Sequence, residues 1–267
     1  MNPTNVSLSV VYFSPTGTTK KIAIAIAESI NAKNTEYIDI TLNTNRENGT
    51  RKINSDILIL GFPVYEEHIP EIVKKYLNNL IINVKGVIAY CVYGNVAYGR
   101  CLKEVYGILI SKNAPVLSLG AFIGEHSFAK EDIPIGRGRP DENDMNLGIK
   151  LGELSKQRYN NHEFLDKKIV PQNVLLIGRI LPRNGARRIS KSPIVDSEKC
   201  IKCMKCRKNC PTGAINIDYK IMEKKCIRCY ACVRSCKIEA RKIEYKNPIV
   251  GKILLKMGGI KKESIII

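Results

Sequence analysis

The amino-acid sequence predicts an α/β domain built on a parallel sheet, followed by a second, smaller cysteine-rich α+β domain. Strand-like apolar runs alternate with helical stretches from Ser7 to about Asn160, composition changes after Asn161, and eight of the ten cysteines lie between Cys200 and Cys236. At 267 residues, 44% hydrophobic and 25% charged, the chain is long enough for about two domains, each with a core.

Four runs read as strands covered on both faces because they are almost continuously apolar: Leu8–Phe13, Asp56–Phe62, Val87–Tyr93 and Val116–Ile123. Glu36–Ile40 is a weaker fifth. Thr18–Ile30 places Ile22, Ala23, Ile26, Ala27 and Ile30 on one helical stripe, and Ile72–Leu80 and Cys101–Ile110 repeat that spacing. Asp141 after Pro140, with Asp144 three places on, predicts an N-cap and the start of the last helix. The boundaries expected are a first domain over 1–162, a linker over 163–192, a cysteine-rich domain over 193–247 and a basic apolar tail over 248–267. Within the linker, Val174–Leu181 is a short apolar piece among Pro171, Pro182, Gly185, Arg187 and Arg188, too short to span a membrane.

Met1 to Leu8 lacks the basic and long apolar regions of a secretory signal, and no apolar run is long enough to span a bilayer, so the expected location is cytoplasmic. There thiols stay reduced, and clustered cysteines point to metal or catalysis rather than disulfides. Lys199–Cys210 and Lys225–Cys236 align as an internal duplication, each half reading Cys-x2-Cys-x2-Cys-x3-Cys. Zinc sites also use Cys-x2-Cys, but a third cysteine at the same short interval, twice over, fits a cubane that needs three thiolates on one face. The segment resembles the bacterial two-cluster ferredoxins, in which the fourth cysteine ligates the other cluster. That resemblance implies one 4Fe-4S cluster on Cys200, Cys203, Cys206 and Cys236, and a second on Cys226, Cys229, Cys232 and Cys210. Pro211 follows the first fourth cysteine as the pattern expects, whereas Lys237 follows the second. A domain this small has little core, so the clusters would supply much of its folding energy.

In the first domain, Ser14-Pro15-Thr16-Gly17-Thr18-Thr19 joins the first strand to the Ile22 helix. Hydroxyls, backbone N–H groups and a helix N-terminus make this loop a phosphate site. Neither a Gly-x-Gly-x-x-Gly after this strand nor a Gly-x4-Gly-Lys-Ser/Thr occurs, which disfavours dinucleotide and P-loop chemistry, and a loop without basic residues suits a monophosphate ester. Gly61–Tyr65 and Val92–Gly99 follow the next strands at the same sheet edge, where open parallel sheets bind ligands.

On these loops residues 1 to about 160 resemble the flavodoxin family, and the whole chain resembles the EFR-type flavodoxin-ferredoxin fusion proteins of anaerobes. The resemblance implies a flavodoxin-like doubly wound sheet of five strands in the order 2-1-3-4-5, with bound FMN. Ser14, Thr16, Gly17, Thr18 and Thr19 would cradle the phosphate. Pro63, Val64 and Tyr65 on one loop, and Tyr93, Gly94, Asn95, Tyr98 and Gly99 on the other, would flank the isoalloxazine. The chain has no tryptophan, so stacking falls to Tyr65, Tyr93 and Tyr98, and the Asn95 side chain and Gly94 backbone are candidates for the ring edge. Gly138-Arg139-Pro140-Asp141 also resembles a segment of the fusion proteins. His126, at the same edge, is a weak candidate for passing a proton to the flavin. Cys91 and Cys101 read as small buried hydrophobes.

The formal charge of +18 favours acidic redox partner proteins, and Lys202, Lys205, Arg207, Lys208, Lys224, Lys225, Arg228, Arg234 and Lys237 concentrate it around the clusters. No nucleic acid is expected. The tail, with Lys252, Lys256, Lys261 and Lys262 among Ile and Leu, has the composition of a peripheral membrane contact, but Gly251, Gly258 and Gly259 interrupt any long helix, and a tail packed on the protein or frayed is expected instead. FMN takes or gives electrons singly or in pairs and each cluster carries one, so the expected function is electron transfer between FMN, the two clusters and partner proteins. The alternative is a flavin-dependent oxidoreductase that reduces a small substrate, fed by the clusters.

Overall fold

The computed structural model describes residues 4–46, 51–175 and 185–267; Met1, most of the Val174–Leu181 piece and Pro182 lie outside them. The first domain runs β1 (Thr4–Tyr12), α1 (Thr18–Ile30), β2 (Ala32–Asp39), β3 (Lys52–Pro63), α2 (Glu71–Asn79), β4 (Ile81–Tyr93), α3 (Cys101–Ser111), β5 (Val116–Ile123) and α4 (Glu142–Asn161). The strands are ordered β2-β1-β3-β4-β5 and all four pairings among them are parallel. This is the flavodoxin-like order, in which the sheet reverses direction beside β1 and opens a crevice at the strands' carboxyl ends.

Alternation along the strands builds two cores. Val11, Phe13, Leu58, Leu60 and Phe62 face one side, with Val73 and Leu77 of α2 and Leu102, Val105 and Leu109 of α3. Leu8, Val10, Ile57 and Ile59 face the other, where α1 supplies Ile22, Ile26 and Ile30 and α4 supplies Leu151. Each such side chain contributes roughly 1.5–3 kcal/mol on burial, so slipping a strand by one residue would expose an entire face. Asp141 caps α4 in a full capping box: its side chain accepts from the Asp144 N–H and the Asp144 side chain accepts from the Asp141 N–H.

The five-stranded sheet gains a sixth member from the far end of the chain. β6 (Ile265–Ile266) pairs antiparallel with β5, and Ser264 Oγ donates to Asp144 Oδ1 at 2.5 Å while accepting from the Ile123 N–H at 2.8 Å. Before β6 lies α8 (Pro248–Gly258), which runs through Gly251 without interruption and ends at Gly258 and Gly259. The tail therefore packs on the first domain. Among the described residues no helix is long and apolar enough to cross a membrane.

The cysteine-rich segment keeps its duplication in three dimensions. α6 (Lys205–Lys208) and α7 (Ala231–Arg234) occupy aligned positions and pack on each other. The residues around them share left-handed backbone: Lys202 with Arg228 (φ 54 and 57), Met204 with Tyr230 (φ 64 and 56), and Gly213 with Glu239 (φ 58 and 52). Cysteine spacing sets where each thiol points, and these repeated turns make the two halves wind alike.

Candidate functional site

At the carboxyl edge of the sheet, the 14–19 loop leads into α1. Gly17 takes φ 88, which a residue with a Cβ adopts only under strain, and no atom lies within 4 Å of the point a Cβ would occupy. The Ser14 N–H donates to Thr41 Oγ1 at 2.9 Å and Ser14 Oγ accepts from the Lys20 N–H at 3.0 Å, leaving the hydroxyl its own proton to donate. Thr16 is exposed, Thr18 partly buried, and Thr19 buried with its carbonyl accepting from Tyr90 at 2.8 Å. An open, hydroxyl-lined helix start of this kind fits a phosphate.

At the same sheet edge opens a partly open cleft. The first domain walls it with Val64, Tyr65, Glu66 and Glu67 after β3, Gly94, Val96 and Ala97 after β4, and His126, Ser127 and Phe128 after β5. The opposite wall comes from Ala186 and Ile189 of α5 (Ala186–Ile189), Ile227 and Arg228 beside the second cysteine run, and Val250, Ile253, Leu254 and Met257 of α8. Ile253 is left 51% exposed. A largely apolar slot with few polar groups fits a flat aromatic ring system.

The predicted flanking residues divide. Val64, Tyr65, Gly94 and His126 line the cavity. Pro63 ends β3 behind it. Tyr93 and Tyr98 do not stack there: both sit in the core, edge to face with ring centroids 5.6 Å apart. The apolar surroundings that make them strand-end tyrosines also bury them, which pushes Tyr93 up to about 12. Asn95 turns away as well, its Nδ2 donating to the carbonyls of Gly258 (2.6 Å) and Ile260 (3.0 Å) because the returning tail presents unpaired carbonyls there. Gly99 pairs with Asn173 of the linker, each N–H donating to the other's carbonyl. Gly94 is needed as glycine, since a Cβ would meet the His126 ring at 2.2 Å.

His126 Nδ1 accepts from the Phe128 N–H at 3.0 Å, and burial, with a smaller push from Arg234, lowers its pKa to about 4. It is a neutral imidazole at neutral pH, which removes it as an imidazolium acid. Two acidic neighbours escape sequence reading. Glu66 and Glu67 both adopt left-handed backbone (φ 55 and 67); Glu66 Oε1 accepts from the Ala186 N–H at 2.7 Å, and Glu67 keeps a buried Oε2 with no partner among the described residues and has its pKa raised by burial. Consecutive left-handed non-glycine residues are costly and cluster at functional sites.

A second, small cavity is ringed by Cys210, Cys226, Cys229 and Cys232, the cross-paired set that the ferredoxin resemblance implies. The thiols surround this space rather than meeting at a point: among the described residues no three His, Cys, Asp or Glu side chains gather closely enough to hold a single ion. The Ala214 N–H donates to Cys210 Sγ at 3.2 Å, a donor suited to thiolate sulfur. Burial pushes the Cys232 thiol up to about 12, and that of Cys229 higher still, so as bare thiols both are protonated; coordination to iron would ionise them. Ile227 and Arg228 belong to the walls of both cavities, and Tyr65 lines the larger one with Ile227. The first run is different: Cys203, Ile201, Met204, Lys202, Lys205, Arg207 and Lys208 are exposed, Ile201 by 69%. Of the basic residues around the cysteines, Arg228 is buried, and Arg234, although exposed, is tied to the first domain. Cys91 and Cys101 are buried, away from both cavities.

Residues 193–216 and 223–245 match family models described as 4Fe-4S binding domains. Solved structures similar to the chain include a flavodoxin from the domain Archaea (17% identity, 58% of this chain and 99% of that one, TM-score 0.42). Others are an apo NADH:FMN oxidoreductase (17%, 62% and 95%, 0.41) and a Fusobacterium nucleatum flavodoxin bound to flavin mononucleotide (17%, 60% and 99%, 0.38). No curated protein matches the chain. Two 4Fe-4S binding domains following a domain of flavodoxin-like topology make this an iron-sulfur protein built for electron transfer.

Proposed function

We propose that the protein passes electrons between external redox partners and an FMN through two clusters in series. Cys200, Cys203, Cys206 and Cys236 hold the outer cluster, and Cys210, Cys226, Cys229 and Cys232 the inner one. Ser14–Thr19 would hold the phosphate of FMN, and Tyr65, Gly94 and His126 would line its ring system. The observation that carries this reading is the wall that Ile227 and Arg228 share between the thiol-ringed cavity and the larger slot.

When bound, FMN exchanges electrons singly or in pairs and each cluster exchanges one. The chain's own residues do the rest. Tyr65 offers a ring in the slot, which it lines together with Ile227 and Arg228 of the shared wall. Phe128, Leu254 and Met257 exclude water from the slot. The exposed lysines and apolar side chains around Cys203 form the face for an acidic carrier, whose association should slow as salt rises.

Anaerobic purification with FMN, iron and sulfide assays tests the reading. One FMN with about eight irons per chain is expected; zinc in place of iron, or colourless protein, would overturn it. A second reading, reduction of a small substrate at the flavin, is favoured by Glu67, which lines the slot and whose buried Oε2 has no partner among the described residues. Turnover of a small oxidant in the absence of any carrier acceptor would decide for it.

A further inference from the structure

Arg228 sits between Cys226 and Cys229 and is only 4% exposed. Its Nη2 donates to Glu223 Oε2 at 2.6 Å and the Cys226 thiol interacts with the guanidinium, while Nε and Nη1 complete no hydrogen bond among the described residues. Guanidinium is a pure donor, and burying its N–H groups unpaired is costly. Glu223 answers the charge only in part, since its side chain is 60% exposed and screened by water. The duplication supplies an internal control. Lys202 holds the aligned place with the same left-handed backbone but is exposed. A buried cation thus belongs to the half that borders the flavin slot, and not to the loop type.

We propose that Arg228 is an electrostatic positioning residue whose unpaired N–H groups face the inner cluster and the flavin, and stabilise the negative charge that each one-electron reduction adds there. The proposal rests on the function proposed above. When a reduced carrier or the outer cluster loses one electron, the inner cluster gains one. When that electron moves on, the inner cluster is reoxidised and the flavin is reduced by one. Arg228 supplies no proton in either step, because guanidinium stays charged throughout. Its fixed charge favours the electron on the buried side of the chain over the outer cluster, where the aligned Lys202 is solvated.

The test uses full-length protein loaded anaerobically, with both cluster potentials followed by EPR and the flavin by visible absorption. The inner cluster is identified as the signal lost in Cys229→Ser. Arg228→Met is expected to lower the inner cluster's reduction equilibrium about tenfold, 59 mV for one electron, with the outer cluster unmoved. Arg228→Lys should recover part of the shift, because it keeps the charge without the fork. Glu223→Gln should move the potential the opposite way, by leaving the cation uncompensated. An unchanged inner potential in Arg228→Met, an equal shift of both clusters, or a Glu223→Gln shift of the same sign as that of Arg228→Met would each overturn the proposal. Should Arg228→Met fail to load, Arg228→Lys and Glu223→Gln decide it by the signs of their shifts. Wild-type protein without clusters or flavin would instead overturn the function on which the proposal rests.

Discussion

Arg234 of the second cysteine run reaches Glu125 of the first domain at 2.8 Å and also donates to the Ala129 carbonyl at 2.8 Å. The two cofactor-binding halves are thus latched at the rim of the slot. Around the latch Phe128 packs edge to face on Tyr230 at 5.0 Å, and Tyr245 donates to the Phe128 carbonyl at 2.8 Å.

Arg234→Ala should loosen this contact without removing either cofactor. The ion pair is about one-third exposed on both sides, so its net worth is about 1 kcal/mol or less, with the carbonyl bond adding a similar amount. The expected outcome is full iron and FMN content with a slower, salt-sensitive transfer from clusters to flavin in stopped-flow reduction. An unchanged rate would show that the aromatic contacts alone hold the domains in register.

His126 makes stability depend on pH. Its folded pKa, about 4, lies below the ordinary 6.5, so between these values the unfolded chain binds more protons. The stabilisation is complete above pH 6.5 and is lost as pH falls toward 4, by at most roughly 3 kcal/mol. Urea midpoints of the wild type should fall between pH 7 and 5 more steeply than those of His126→Gln. Parallel slopes would refute the assignment.

Much of this architecture is legible in the residues, because local signals and global packing agree. Ile22, Ile26 and Ile30 announce the buried face of α1, and Asp141 with Asp144 announces the start of α4. The cysteine repeat is legible because ligand geometry restricts spacing. Contacts made across the whole chain leave no such trace. Nothing near Asn95 signals that Gly258 will lie against it, nothing near Arg228 distinguishes it from the exposed Lys202, and a two-residue strand such as Ile265–Ile266 is too short for periodicity to reveal. Tyr93 and Tyr98 mislead for a related reason: a strand-end tyrosine reads the same whether its ring meets a ligand or another ring.

Asn95 ties the tail over the flavin slot. Asn95→Ala would leave the Gly258 and Ile260 carbonyls without their donor, costing about 1–2 kcal/mol and freeing α8 to move from the slot. If α8 covers the flavin, FMN should dissociate roughly tenfold more readily, equivalent to 1.4 kcal/mol, while iron content stays unchanged. Equal FMN affinity in the variant would separate α8 from flavin retention.

Cys210 and Cys236 test whether the two halves of the cysteine segment exchange ligands. Cys210 closes the first run in sequence yet lines the cavity with Cys226, Cys229 and Cys232, where α6 and α7 pack together. Cys210→Ser should therefore damage the inner cluster, leaving the outer cluster able to take electrons that no longer reach the flavin. Cys236→Ser should do the reverse: the inner cluster and flavin stay connected, but reduction by an acidic carrier slows because the exposed entry point is gone. EPR of each variant, with iron analysis and flavin reduction measured on the same sample, distinguishes these outcomes. If Cys210→Ser instead abolishes the signal that Cys203→Ser abolishes, each run holds its own cluster, and the thiol-ringed cavity is not the inner cluster's site.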